Sequence, residues 1–288
     1  GGNAEFSDDS SVPEALFQGG RVTVLAGKTL TLDTARITGS SAVASMTGAG
    51  EVLITNLLVW NSGTMSSTGT TRLASGATGT FSPASGVDLT LTSGRSFVNE
   101  GTITWNTEVN SDLTFSSSGC TFTNKNAMTI QGTAPGRLYQ SSSTYNGNFI
   151  NDVTGTIVAT TDFTIYSLDA TNDGSITMDG QRFTFEFSSQ VFNSGASSVM
   201  RLNSTAYFEC SSTCDFAVGA TVPTDGSAVV FEVGSGTTRL LGAVTLPQLL
   251  LTGGNAEFSD DSSVPEALFQ GGRVTVLTGK TLTIDTAR

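Results

Sequence analysis

The chain has 288 residues, 38% hydrophobic and only 13% charged, with a formal net charge of −12, 13 Lys and Arg, and no His. That balance leaves no basic face for a nucleic acid and no imidazole to complete a metal site around its few thiols. The most apolar run, Val52 to Trp60, contains Thr55 and Asn56 and is too short to span a bilayer.

The first 36 residues, Gly1 to Arg36, return as the last 36, Gly253 to Arg288, with only two changes, Ala26 to Thr278 and Leu32 to Ile284. The offset is 252 residues throughout. We therefore expect residues 1–252 to be one complete repeat unit and 253–288 the opening of the next, cut from a longer tandem array.

Within the unit, SDDSS is a polar turn after Phe6, and SVPEALFQGG follows as a bent strand or a single helical turn around Pro13. RVTVLAGKTLTLDTARITG then alternates apolar and polar residues: Val22 and Val24, a turn at AGK, Leu30 and Leu32, and a third run ending at Ile37. This predicts strands of about four residues joined by tight turns, with Thr23, Thr29 and Thr31 facing outward. EVLITNLLVW, TTRLASGATGTF, GVDLTLTSG, SDLTFSSSGCTFTN and the later runs repeat the pattern, and no long stretch has helical apolar spacing.

A shorter motif runs inside the large repeat: an aromatic or apolar residue, Asn, a polar residue, Gly, Thr or Ser, then Ile or Met. Phe97-Val98-Asn99-Glu100-Gly101-Thr102-Ile103 is the clearest case, and Asn61, Asn124, Asn151, Asn172 and Asn193 mark the others. Units of about 20 to 27 residues with an Asn-Gly corner describe one turn of a parallel β-helix. We expect the six Asn to shape corners, since Asn tolerates a left-handed backbone and its amide can bond along a stack. The Phe before each Asn should stack in the core. The fold class expected is all-β, a right-handed parallel β-helix (β-solenoid) with roughly 10 to 12 rungs per 252-residue period. At the usual strand spacing one period would rise about 50 to 60 Å.

Candidate sites are few. Cys210 and Cys214 could form a local disulfide across a turn, unless one extended strand holds them too far apart, and Cys120 should be a small core residue. Asn203-Ser204-Thr205 is a glycosylation sequon. Asp8-Asp9 is the one acidic pair, recurring as Asp260-Asp261; on a strand its members would face opposite ways. Asp169 to Gly174 superficially resembles a calcium loop but lacks the closing acid. No catalytic residue, cofactor or metal is expected.

RVTVLAGKTLTL, RSFVNEGTITW and GNFINDVTGTIV resemble the rungs of right-handed β-helix proteins of microbial surfaces: autotransporter passengers, filamentous-haemagglutinin-like adhesins and giant tandem-repeat fibre proteins. The resemblance implies secretion, an elongated body and roles in adhesion or appendage building, and it transfers no functional residue. The expected function is thus a structural segment of an extracellular fibre, stalk or surface filament. The alternatives are an adhesin or carbohydrate-binding module and, behind it, a polysaccharide-active enzyme. Expected partners are further copies of the repeat, end to end and in the same chain sooner than as separate subunits, with lateral self-association and glycans as further options.

Overall fold

The computed structural model describes residues 2–38, 44–142, 144–179, 181–203, 207–217, 220, 224–225 and 230–288. Among them every regular element is a β-strand, every strand pairing is parallel, and the chain winds as a parallel β-helix of about 12 turns. The chain divides into two units, Gly1–Ile150 and Asn151–Arg288.

In the first unit each turn contributes to three parallel ladders. One stacks Gly2–Phe6, Gly20–Val24, Ala44–Thr47, Thr64–Met65, Leu89–Leu91, Leu113–Phe115 and Gly136–Gln140 in succession. A second runs from Ser10–Val12 through Leu30, Val52 and Thr71 to Ser96–Asn99 and Thr121–Asn124. The third passes from Glu14–Phe17 through Thr34–Ile37, Leu57–Trp60 and Thr78–Phe81 to Thr102–Thr107 and Ala127–Gly132. The second unit repeats the scheme. There Phe183, Phe208, Phe231 and Leu249 follow one another in one ladder, and Phe192, Cys214, Thr238 and Ala256 in another.

Alternation decides which residues line the coil. Thr121–Asn124, Ser96–Asn99 and Asn148–Asn151 all alternate half-buried with buried positions, so the inward set is Phe97, Phe122 and Phe149 with Asn99, Asn124 and Asn151. The aromatics stack. Phe97 and Phe122 lie 5.1 Å apart at 11°, and Phe122 and Phe149 5.9 Å apart at 29°. In the second unit Phe163–Phe183 and Phe208–Phe231 stack at 5.5 and 4.5 Å. In-register pairing puts like on like, because a parallel ladder aligns equivalent residues of successive turns.

Not every strand is short. Ser10–Phe17, Thr29–Ile37 and Glu51–Trp60 each run through two ladders without interruption. They bend where expected turns are absent: Pro13, which has no N–H to donate, falls between the paired residues Val12 and Glu14. The run around Pro13 is thus a bent strand. Among the described residues there is no helix that could cross a membrane.

Candidate functional surfaces

The inward Asn residues form hydrogen-bonded pairs between turns. Asn99 Nδ2 donates to Asn124 Oδ1 at 2.7 Å and to the Ala127 carbonyl at 3.1 Å, while its Oδ1 accepts the Gly101 N–H at 3.1 Å. In the second unit Asn151 Nδ2 donates to Asn172 Oδ1 at 2.7 Å and to the Ser175 carbonyl at 3.2 Å. All four are fully buried. A buried amide in this position satisfies corner carbonyls that have left the ladder.

Two of the six candidates occupy other places. Asn193 is exposed; Ser194 stands beside Asn172 in register and bonds Ser198 instead, so the motif is displaced by one residue, and one residue flips a strand side chain to the other face. Asn61 follows the strand Glu51–Trp60 at a different corner, and its Oδ1 is buried without a partner. Asn172 Nδ2 also lacks a partner, because Ser194 cannot continue the row.

Cys210 and Cys214 are bonded, with Cα atoms 6.4 Å apart. Both belong to the strand Tyr207–Phe216, but that strand changes ladder between them: Cys210 pairs with Val233 and Cys214 with Thr238. The bond therefore crosses a corner inside one turn. Cys120 is free and buried, 3.4 Å from Ser117 Oγ. Asn203 ends the strand Val199–Asn203, while its side chain, Ser204 and Thr205 lie outside the described residues.

The acidic pair does the same job in both copies. Asp8 pairs with Lys28 and Asp9 Oδ1 accepts the Thr29 N–H at 2.8 Å; Asp260 pairs with Lys280 at 2.6 Å and Asp261 Oδ1 accepts the Thr281 N–H at 2.7 Å. Hydrogen bonding to Lys280 holds the Asp260 carboxyl below its usual range, and Asp260 in turn raises the Lys280 ammonium. Other Asp side chains reach one turn onward in the same way: Asp88 to the Asp112 N–H, Asp162 to the Arg182 N–H and Asp169 to the Val191 N–H. Sequence reading missed this device, whose signature is an Asp just before a strand about one turn upstream of an amide-bearing corner. It also accounts for Asp169, whose segment Asp169–Asn172 is strand, unlike a calcium loop.

Arg95, also missed, is fully buried. Its guanidinium donates to Thr71 Oγ1 at 2.8 Å, the Thr70 carbonyl at 3.0 Å and the Gly48 carbonyl at 3.1 Å. Burial lowers it to about 10, well above neutrality, so it stays charged. Glycine makes the room: a Cβ on Gly69 would lie 2.6 Å from Arg95 Nη1 and 2.2 Å from the Gly50 carbonyl.

On the outside of the first unit, Arg72 bridges Glu51 at 2.7 Å and Glu100 at 2.9 Å, and Lys125 reaches Glu100 at 3.5 Å. A cleft of about 360 Å³ lies beside this column, lined by Gly27, Lys28, Gly50, Gly69 and Arg72 among others. A second, about 340 Å³, lies between Val109 and Pro135 and includes Asp112 and Arg137, which are 3.6 Å apart. Asp88, Asp112 and Arg137 immediately precede the in-register residues Leu89, Leu113 and Leu138, so they form a column. Burial pushes the Asp112 carboxyl up, Arg137 pulls it down and Asp88 pushes it up again. Among the described residues no group of three His, Cys, Asp or Glu is placed to hold a metal.

The family described as the BigA third pectate lyase-like domain matches residues 7–237. Comparisons with curated proteins and with solved structures return no match.

Proposed function

We propose, from the premise that the chain belongs to the BigA third pectate lyase-like domain family, that it is a structural segment of a secreted surface protein. In this reading a β-solenoid with a 252-residue period runs on through tandem copies, and residues 1–252 are one unit of it. The product is a fibre, stalk or surface filament, and its principal partner is the next copy.

One observation supports the reading: the duplicated segment keeps the same strand register in both copies. Gly2–Phe6 pairs with Gly20–Val24 as Asn255–Phe258 pairs with Arg273–Val276, and Ser10 meets Leu30 as Ser262 meets Leu282. The Asp-to-Lys and Asp-to-amide contacts recur as well. A segment retained for stacking keeps its pairing partners and corner bonds; a ligand-contacting loop has no need to. Outward threonines and few charges also permit lateral bundling.

The mass of the native material on a denaturing gel, with images of intact particles, tests the reading. A very large chain and filaments with an axial repeat of about 50 to 60 Å are expected. A native species near the 29.7 kDa of this chain would overturn it.

A second reading, an adhesin that holds glycans, draws on the open cleft between Val109 and Pro135, where apolar walls meet Asp112 and Arg137. Glycan-array binding lost in Asp112→Ala would support it. The Asp88–Asp112–Arg137 column is where a polysaccharide-active enzyme would be sought, by turnover of acidic polysaccharides; no turnover is expected.

A further inference from the structure

Arg95 is a buried cation that no carboxylate balances. Among the described residues its guanidinium bonds to neutral oxygens, Thr71 Oγ1 and the Gly48 and Thr70 carbonyls, and no acidic group stands within ion-pair distance of it. Burial alone lowers it. A charge taken out of water without an opposite partner is costly, and in so dry a place its field is weakly screened.

The fold places that charge under an open cleft. Lys28, Gly50, Gly69 and Arg95 hold one position on successive turns, each just before the in-register residues Thr29, Glu51, Thr70 and Ser96. Lys28 turns outward, whereas Arg95 runs inward beneath the glycines and reaches the Gly48 carbonyl. The cleft of about 360 Å³ opens over the same corners, with Lys28, Glu51, Thr68, Thr70 and Arg72 around Gly50 and Gly69. Thr70 lines the cleft and gives its carbonyl to Arg95, so one layer of backbone separates the cleft from the guanidinium. The charges in and under the cleft are Lys28, Arg72 and Arg95 against Glu51 alone. From the rim Asp8, 85% exposed, reaches Lys28 at 3.4 Å, and Glu100 reaches Arg72 at 2.9 Å. A contact as long and exposed as that of Asp8 is worth little, so Lys28 can turn into the cleft.

We infer that this cleft is an anion site, and that it takes a sulfate or phosphate group, free or esterified to a sugar. Lys28 approaches the group from one turn, and Arg72 with the Thr68 and Thr70 hydroxyls from the turn two further on. Donors that come from separate turns suit a tetrahedral group with three or more oxygens pointing different ways; a planar carboxylate presents two oxygens in one plane. Glu51, bonded to Arg72 at 2.7 Å, holds that guanidinium in place. Arg95 touches no ligand atom; its charge favours the anion through the wall of the cleft. The site draws on no tandem copy and stands apart from the filament reading.

Amide shifts of residues 49–51 and 68–70, followed by NMR in the full chain at constant ionic strength, test the site. The probes are sodium sulfate, sodium phosphate, glucose 6-sulfate and glucose 6-phosphate, with sodium acetate as the planar carboxylate. Sulfate and phosphate probes are expected to give saturable shifts and to raise the thermal midpoint, as any ligand of the folded state does. Acetate is expected to give neither. Lys28→Gln should weaken binding by about tenfold, the worth of one charge-assisted bond. Arg21→Gln, which removes an exposed cation outside the cleft, should leave binding unchanged. A sugar ester that binds more tightly than its inorganic ion identifies a glycan as the ligand; equal affinity identifies the free ion. Absence of saturable shifts, an acetate response equal to that of sulfate, or equal losses in Lys28→Gln and Arg21→Gln would each overturn the inference.

Discussion

Asn99 and Asn124 sit in register on neighbouring turns, and the amide of one donates to the amide oxygen of the other at 2.7 Å inside the coil. The bond links two turns through side chains at a corner where the backbone has left the ladder. Asn99 also holds a carbonyl and an N–H, so its removal leaves several buried polar groups unsatisfied. Asn99→Ala is expected to cost about 2–4 kcal/mol, read from the midpoint of denaturant unfolding. Asn61→Ala, whose Oδ1 has no partner to lose, should cost less than about 1 kcal/mol.

In the second unit the row stops early. Asn172 Nδ2 is buried without an acceptor, and its in-register neighbour is Ser194. Ser194→Asn places an amide oxygen where Asn124 places one for Asn99. A gain of about 1 kcal/mol is expected once Asn172 is satisfied. A lower unfolding midpoint would show that losing the Ser194–Ser198 bond outweighs the new one.

The bond between Cys210 and Cys214 closes a very short loop. The chain-entropy estimate for so few residues is about 2 kcal/mol. Cys210→Ala with Cys214→Ala should lose up to that amount, and hydrogen exchange should rise around Tyr207–Phe216 and hardly at all in Ser96–Asn99.

Gly69 is required by space. An added Cβ would lie 2.2 Å from the Gly50 carbonyl, 2.4 Å from the Gly48 carbonyl and 2.6 Å from Arg95 Nη1. Gly69→Ala is expected to cost more than about 3 kcal/mol, since backbone and a buried cation must both yield. Gly27, with nothing within 4 Å of its would-be Cβ but a φ of +72°, should lose only about 1 kcal/mol on the same change. Thermal midpoints of the two variants check the contrast.

Asp112 sets a local pH dependence. Burial first, and Asp88 second, raise its folded carboxyl, against the pull of Arg137. The folded state therefore holds this proton more tightly than the unfolded chain does. Its contribution is most favourable below the carboxylate range and is lost as pH rises through the raised value. Asp112→Asn should thus be at least as stable as the parent at pH 7, within about 1 kcal/mol, and the advantage should vanish toward pH 4. Urea midpoints at the two pH values decide it.

The architecture was legible because a coil repeats one local problem: alternating residues, an Asn-Gly corner, an aromatic to stack. Phe97, Asn99, Phe122 and Asn124 could be placed on that basis. Asn193 could not, because a one-residue displacement keeps the composition of the motif while reversing the faces. Arg95 was invisible for another reason. A charged residue beside a turn reads as surface, and only Gly69, packed on Gly48 and Gly50 of the neighbouring turn and against Arg95 itself, shows the space that takes it inside. The Asp-to-amide contacts join residues about 20 to 24 apart, beyond any local pattern.

The placement of the one disulfide has a mechanical consequence. Cys210–Cys214 fastens a turn to itself and fastens it to no neighbour. Under a pulling force that peels turns apart, the resistance in this part of the chain comes from ladder hydrogen bonds, packed rings and inter-turn ion pairs such as Arg182–Glu209 and Arg239–Asp215. The turn from Phe183 to Phe208 would extend at about 3.3–3.6 Å per residue. The bonded corner would hold back only the few residues between its sulfurs, leaving a protein that yields in steps and keeps one small knot of unextended chain as a marker of where it yielded.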